Sequence, residues 1–120
     1  MIRAQDRFTP GPPHTLRGSF LIRDTGGVRR FETSADFYFD GSPAPGFAFH
    51  TGIPTQAGDP VLRANMVQTR FLDLPGNVVE IRGAQTGTIP PDFDLDTFDT
   101  LVLWCFAVPF ILGYGVLERP

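Results

Sequence analysis

The sequence predicts an all-β fold, a single antiparallel β-sandwich of Greek-key or jelly-roll type with about eight short strands. Three observations support this prediction. The 120 residues include 13 Gly and 12 Pro, which leave little room for long helices because a proline inside a helix costs about 3 kcal/mol. Twelve residues are Phe, a residue favoured in strands. Short alternating runs lie between turn-forming residues, and a chain of this length forms one domain.

The predicted elements follow from the N-terminus. Residues 1–15 contain three prolines and are expected to form an extended arm, and residues 16–120 form the domain. The spacing of apolar residues predicts strands over residues 16–23, 28–33, 35–39, 47–51, 67–72, 77–82, 100–106 and 110–117. The turn-forming residues Asp24-Thr-Gly-Gly27 predict a hairpin between the first two of these strands. In the strand over 77–82, Val79 and Ile81 are expected to share one face.

The C-terminal quarter carries the most information about burial. Its aspartates predict the outer face of an extended segment in which Phe93 and Leu95 point inward; they are Asp92, Asp94, Asp96 and Asp99. The last two strands are almost entirely apolar, which indicates burial on both faces at the centre of the sandwich. Alternation places Trp104 and Cys105 on opposite faces of their strand.

Charge and hydropathy exclude several classes of function. The net charge is −3 and the chain has no basic excess, so no nucleic-acid partner is expected. The longest apolar run, Leu101 to Val108, is too short for the roughly 18 residues of a transmembrane helix. The first residues lack the apolar segment of a secretory signal. A cytoplasmic location is therefore expected for the sequence as it stands, and export only if a leader has been removed.

Cys105 is the candidate reactive residue. It is the only cysteine, so an internal disulfide is excluded, and it follows the only tryptophan, Trp104. A reactive thiol needs a lowered pKa and some exposure. The neighbouring side chains are apolar, which predicts a raised pKa and favours an inert core thiol over a redox centre. A core anchor is likewise the favoured role for Trp104.

His50 and His14 are the candidate metal or haem ligands, and His50 is preferred because it lies in an aromatic strand beside a Gly/Pro loop. A metal site normally needs three or four ligands, and the sequence shows no ligand spacing. Haem needs only one or two axial ligands, such as His50 with Met66 or Cys105. Surface exposure is the favoured explanation for His50.

Four blocks of the sequence resemble the DM-thirteen domain family. They are Leu16-Arg-Gly-Ser-Phe20, the segment DFYFDGSPAPGFAFHTG over 36–52, the segment IRGAQTGTIP over 81–90, and PPDFDLDTFDTLVLWC over 90–105 followed by Gly113-Tyr-Gly-Val-Leu117. The last block is the most specific, and the similarity covers about residues 14–118. The resemblance implies a β-sandwich and an electron-transfer role centred on the Trp-Cys cysteine. Gly46, Phe106 and Ala107 depart from the family pattern, which has polar groups there.

These observations lead to three hypotheses. The first is a redox or electron-transfer accessory domain with Cys105 as its centre, His50 and Trp104 as cofactor-binding residues, and a redox partner protein. The second is a scaffold that binds a small apolar molecule, as a cyclase or isomerase of such a metabolite would, in an aromatic pocket. That pocket would be lined by Phe37, Phe39, Phe47, Phe49 and Tyr114. The third is a non-catalytic interaction module that forms a homodimer through an edge strand.

Overall fold

The all-β fold is confirmed by a computed structural model, which describes residues 1–54 and 60–120. The described residues form three antiparallel sheets. The strands are β1 (Ile2–Arg7), β2 (Thr9–Pro10), β3 (Leu16–Arg17), β4 (Ser19–Thr25), β5 (Val28–Thr33), β6 (Tyr38–Phe39), β7 (Pro45–His50), β8 (Leu72–Asp73), β9 (Ile81–Arg82), β10 (Thr86–Thr88), β11 (Thr100–Cys105) and β12 (Phe110–Val116). They outnumber the eight predicted because several are only two residues long.

The first sheet has the strand order β1-β4-β5-β10. The hairpin predicted between the second and third of these strands is confirmed, with Thr25 paired to Val28. Its two-residue turn consists of Gly26 and Gly27, both with positive φ. This backbone matches the twist of the flanking strands and is available to glycine without strain. Residues of the N-terminal arm belong to this fold, since β1 pairs with β4.

The second sheet has the order β2-β12-β11-β7-β8. All six residues of β11 are buried, because neighbouring strands flank it, the main core covers one face and a helix covers the other. The central position predicted for the last two strands from their apolar character is therefore confirmed for β11. The third sheet, β3-β6-β9, is small and lies beside the loop that precedes β7.

The main core lies between the inner faces of the sheets and is rich in phenylalanine. Phe47 is at its centre, with ring centroids 4.8 Å from Phe31 and 5.8 Å from Phe8. A second, smaller apolar cluster lies on the other side of the second sheet and contains Trp104 and Met66. The predicted opposite orientation of Trp104 and Cys105 is confirmed, since Cys105 belongs to the main core.

The strand predicted over 67–72 is wrong for most of its length, because residues Pro60–Thr69 form a helix, α1. Its buried residues are Leu62, Met66 and Thr69, a spacing of four and three that places them on one helical face. Pro60 suits the first position of a helix, where no backbone donor is needed. Only Leu72–Asp73 forms a strand. Among the described residues, no helix is long and apolar enough to cross a bilayer.

Two further predictions of extended structure are wrong in detail. In 77–82 only Ile81–Arg82 is a strand, because Asn77 and Val78 have positive φ and reverse the chain. Val79 is therefore exposed, while Ile81 is buried. The aspartate segment forms a 3₁₀ helix over Leu95–Thr97 instead of a strand.

The side chain of Asp94 starts that 3₁₀ helix by accepting a hydrogen bond from the Asp96 backbone N–H. Leu95 is nonetheless buried and Phe93 packs against the main core, so the inward orientation predicted for these two residues is confirmed.

Candidate functional site

A cavity of about 320 Å³ adjoins Cys105 at the end of the β11–β12 pair. We call it the Cys105 pocket. Its apolar wall consists of Pro13, Pro43, Val78, Val108, Phe110 and Leu112. Its polar side chains are His14, Ser42 and Cys105. Cys105 is only 2% exposed, and it is one of the residues that line this pocket.

The position of Cys105 is fixed by the second sheet. It is the last residue of β11 and pairs with Phe110 of β12 on one side and with Pro45 of β7 on the other. Residues 106–109 form the turn that returns the chain into β12. This turn and the loop before β7 bring several backbone N–H groups to the sulfur.

The pKa of Cys105 is lowered from its ordinary value. Burial is the largest single influence and raises the pKa, because a charged sulfur is poorly solvated there. The backbone N–H groups of Val108, Ala44 and Ala107 act in the opposite direction, and together with Ser42 they outweigh burial. The prediction of a raised pKa, made from the apolar side chains beside Cys105, is therefore wrong. The side chains of neighbouring residues do not show where backbone N–H groups will lie.

Ser42 is the second polar group at the base of the pocket. The residue is 3% exposed, and its hydroxyl makes no hydrogen bond of normal geometry with any described residue. It nevertheless lies close enough to Cys105 to lower the pKa of the thiol. Buried hydroxyl groups nearly always have a partner. Because Ser42 is among the residues that line the pocket, a molecule that enters the pocket deeply can supply this bond.

His14 is held at the pocket by a carboxylate and by aromatic rings. Its Nδ1 lies 2.9 Å from Asp40 Oδ1. Its ring centroid lies 5.4 Å from that of Phe39 and 5.8 Å from that of Phe110, the cross-strand neighbour of Cys105. When Nδ1 of a histidine is held by a carboxylate, the other ring nitrogen, Nε2, stays available to donate or accept a hydrogen bond. Sequence reasoning preferred His50 and missed this role, because nothing local in the sequence shows that the arm folds back to Cys105.

The wall of the pocket contains an unusual backbone. Val78 has φ 57°, a left-handed conformation that is a true outlier for a β-branched residue. Two backbone hydrogen bonds hold this turn against the loop before β7: Asn77 N–H donates to Pro43 O and Val78 N–H donates to Ser42 O, both at 3.0 Å. Such strain is typical of binding and catalytic sites.

His50 and Trp104 lie elsewhere, on the helix side of the second sheet. His50 pairs with Thr100, and its Nδ1 is 3.1 Å from Asn65 Nδ2 on α1. Thr100 and Cys105 are five residues apart on one strand, and a strand rises about 3.3 Å per residue. His50, the partner of Thr100, is therefore about 16 Å from Cys105 along the sheet. These two residues therefore cannot ligate the same iron.

Trp104 is buried in the second cluster together with Met66, which is fully buried. A haem between His50 and Met66 would have to displace this packing. Among residues 1–54 and 60–120, no three His, Cys, Asp or Glu side chains are grouped so that they could hold a metal ion.

The predicted aromatic pocket residues fill the main core. They are Phe37, Phe39, Phe47 and Phe49, each at most 1% exposed, and three of them contact other aromatic rings of the core. Tyr114 is partly exposed on β12, where it pairs with Thr9. An open pocket with a mostly apolar lining lies instead at Cys105.

Gly46 and Phe106 pack closely together. A Cβ atom at Gly46 would lie 2.8 Å from a ring carbon of Phe106, so a larger residue at position 46 would require the ring to move. The guanidinium of Arg70 also lies over this ring, 4.0 Å from its centroid.

No family model, curated protein or solved structure matches this chain. The resemblance to the DM-thirteen family stays a prediction.

Proposed function

We propose that this protein performs thiol-based redox chemistry with Cys105 as the group that is reversibly oxidised. The observation that supports the proposal is the pocket that Cys105 lines, and in the same direction backbone N–H groups from two separate loops lower the pKa of the thiol despite burial. The thiolate is the nucleophilic form of cysteine. An inert core thiol needs neither these donors nor an adjoining pocket.

The single cysteine determines the kind of redox reaction. With no second cysteine in the sequence, oxidised Cys105 must be resolved by a thiol from another molecule. In an exchange with a disulfide RSSR, the Cys105 thiolate attacks one sulfur, forming a mixed disulfide and releasing RS⁻. A thiolate R′S⁻ then attacks the outer sulfur of the mixed disulfide, which restores the Cys105 thiolate and gives RSSR′. When a second R′S⁻ releases the remaining RS⁻ from RSSR′, two electrons have passed from two R′S⁻ to the original disulfide, and R′SSR′ is the product. The external thiol belongs to a small molecule or to a redox partner protein.

The test is the pH dependence of alkylation by iodoacetamide, which reports the thiolate fraction of a single cysteine. We expect the folded protein to react with a midpoint below the ordinary thiol pKa of about 8.5, and Cys105→Ser to incorporate no label. The unfolded protein in urea provides the matched control and should show the ordinary midpoint. A folded-state midpoint at or above that of the unfolded protein, or no labelling of the folded state, would overturn the proposal.

A second candidate is the binding of a small apolar molecule without chemistry, favoured by the six apolar side chains that line the Cys105 pocket. It predicts that cumyl alcohol, a compact apolar alcohol, raises the melting temperature of both the wild type and Cys105→Ser. The absence of any shift at millimolar concentrations would count against it.

A further inference from the structure

The walls of the Cys105 pocket select for an apolar body. Its six apolar side chains come from five separate segments: the arm, the loop before β7, the left-handed turn, the turn after β11, and β12. At about 320 Å³, the cavity is at the small end of the range of about 300–1,000 Å³ typical of ligand sites. A compact apolar molecule fits this description better than a nucleotide or a charged metabolite.

The base of the pocket provides a nucleophile and an unmatched hydrogen-bonding group. Cys105 lines the pocket, backbone N–H groups lower the pKa of its thiol, and the buried Ser42 hydroxyl is without a partner of normal geometry among the described residues. A hydroxyl can both donate and accept a hydrogen bond. Ser42 can therefore orient a small polar head that enters ahead of the apolar body.

We propose that the oxidant of Cys105 is an organic hydroperoxide with an apolar body, which the protein reduces to the alcohol. This inference rests on the proposed redox function of Cys105. A hydroperoxide ROOH combines an apolar group with a two-oxygen head that can bond Ser42 and that thiolates attack. Hydrogen peroxide, which has no apolar body, gains nothing from the walls of the pocket.

The reaction balances with groups present at the pocket and an external thiol. The Cys105 thiolate attacks the terminal oxygen of ROOH, the S–O bond forms, the O–O bond breaks, and RO⁻ leaves. The ring of His14, which lines the pocket and is held by Asp40, relays a proton from water to RO⁻, which leaves as ROH. Sulfur is oxidised to the sulfenic acid and the peroxide is reduced. One external thiol then forms a mixed disulfide with loss of water, and a second thiol restores Cys105.

The experiment measures the rate of Cys105 sulfenic acid formation, trapped with dimedone and quantified by intact mass, for cumene hydroperoxide and for hydrogen peroxide. The same rates for the urea-unfolded protein give the intrinsic ratio of the two oxidants. We expect folding to raise the ratio of the cumene hydroperoxide rate to the hydrogen peroxide rate about tenfold, as burial of part of the apolar body predicts.

Two valine variants test the role of the wall. Val108 lines the pocket and is 60% exposed, and Val67 on α1 is 61% exposed and lies outside this pocket. We expect Val108→Ser to lower the ratio of the cumene hydroperoxide rate to the hydrogen peroxide rate about threefold. Val67→Ser should change neither rate. The high exposure of both sites means that both variants should fold.

The outcomes separate this inference from the proposed function. If folding leaves the ratio at its intrinsic value, or if Val108→Ser affects both oxidants equally, the hydroperoxide inference is overturned and the redox thiol stands. If neither peroxide oxidises the folded protein but hydroxyethyl disulfide does, the hydroperoxide inference is again overturned and the redox thiol stands. If none of the three oxidants reacts at Cys105, both proposals fail.

Discussion

The ionisation of Cys105 depends on backbone groups that a list of neighbouring side chains does not contain. The strand that carries it, TLVLWC, offers no side-chain cation, and burial alone would keep the thiol neutral. The N–H groups of Ala44, Ala107 and Val108 lower the pKa of the thiol, and they belong to the two loops that meet where β11 ends. The lowered pKa of this residue therefore depends on where the strand ends.

Ser42→Ala separates the chemical role of the hydroxyl from a structural one. Because the hydroxyl has no partner of normal geometry among the described residues, we expect its removal to change the free energy of unfolding by less than about 1 kcal/mol. The alkylation midpoint of Cys105 should move to higher pH, since a group that lowers the pKa of the thiol is lost. Urea unfolding and the iodoacetamide rate check these two effects. A loss of stability above about 2 kcal/mol would mean that the hydroxyl has a strong structural bond.

Val78→Asn should stabilise the protein. A left-handed backbone costs an ordinary L-residue roughly 1–2 kcal/mol, whereas asparagine tolerates it. Val78 is 62% exposed, so little apolar burial is lost, and we expect a gain of about 0.5–1 kcal/mol in urea unfolding. Val79→Asn, at a neighbouring position without positive φ, should give no gain. A loss of stability in Val78→Asn would show that the valine side chain matters more than its backbone.

At the level of elements, the sequence predicted strands best where a single period dominated. The Asp24-Thr-Gly-Gly27 turn and the apolar run of β11 each had one physical explanation, and both elements are confirmed. The region of α1 was predicted as a strand from a weak alternation of Met66, Phe71 and Leu72. The helix is instead favoured by the apolar cluster that Leu62 and Met66 form with Trp104. That contact joins residues some forty positions apart and is invisible to a local pattern.

The Thr69 side chain of α1 joins the helix to the second sheet, because it hydrogen-bonds backbone groups at the edge of β7 that no strand of the described residues pairs with. β8 pairs with β7 only at Gly46 and Phe47. Beyond that point Thr69 Oγ1 accepts a hydrogen bond from Phe49 N–H at 3.1 Å and lies 2.7 Å from Phe49 O, to which it can donate. The threonine therefore continues the pairing of the β7 edge, and Asn65 Nδ2 also donates to Phe49 O at 2.9 Å.

Thr69→Val tests the role of the Thr69 hydroxyl, because valine has nearly the same shape as threonine. The valine leaves the buried Phe49 N–H without its partner, so we expect a loss of about 1–3 kcal/mol in the free energy of unfolding. Val67→Thr, on the exposed face of the same helix, should change it by less than about 0.5 kcal/mol. Equal effects of the two variants in urea unfolding would contradict the proposed role of Thr69.

At the scale of the whole molecule, the Cys105 pocket explains why the site was only partly predictable. Cys105 could be identified as a lone thiol, but His14 and Ser42 join it through the arm and the loop before β7. Their separation along the sequence is large, and no motif spacing connects them. His50 looked more suitable locally, yet the register of β7 with β11 places it opposite Thr100, at the far end of the strand from Cys105.

The stability of the whole molecule should fall in acid. The hydrogen bond from Arg29 is the largest cause that lowers the pKa of Asp24, and the hydrogen bond from Tyr38 is the largest that lowers the pKa of Glu80. A carboxyl with a lowered pKa in the folded state binds fewer protons there than in the unfolded chain. Its contribution is therefore complete above the unfolded pKa of about 4 and is lost as the pH falls through the lowered values.

Asp24→Asn tests the first of these two carboxyl groups. Asp24 on β4 pairs with Arg29 on β5 and with Arg3 on β1. The side chain is about a third exposed, so we expect a loss of only about 0.5–1 kcal/mol at pH 7, together with a smaller fall in stability between pH 5 and pH 2.5. Urea midpoints across this range measure both effects. Asp92→Asn, at an exposed position, should reproduce the wild-type curve. A variant curve parallel to that of the wild type would mean that Asp24 does not link acid to unfolding, and that the three strands are joined at this point by pairing and packing alone.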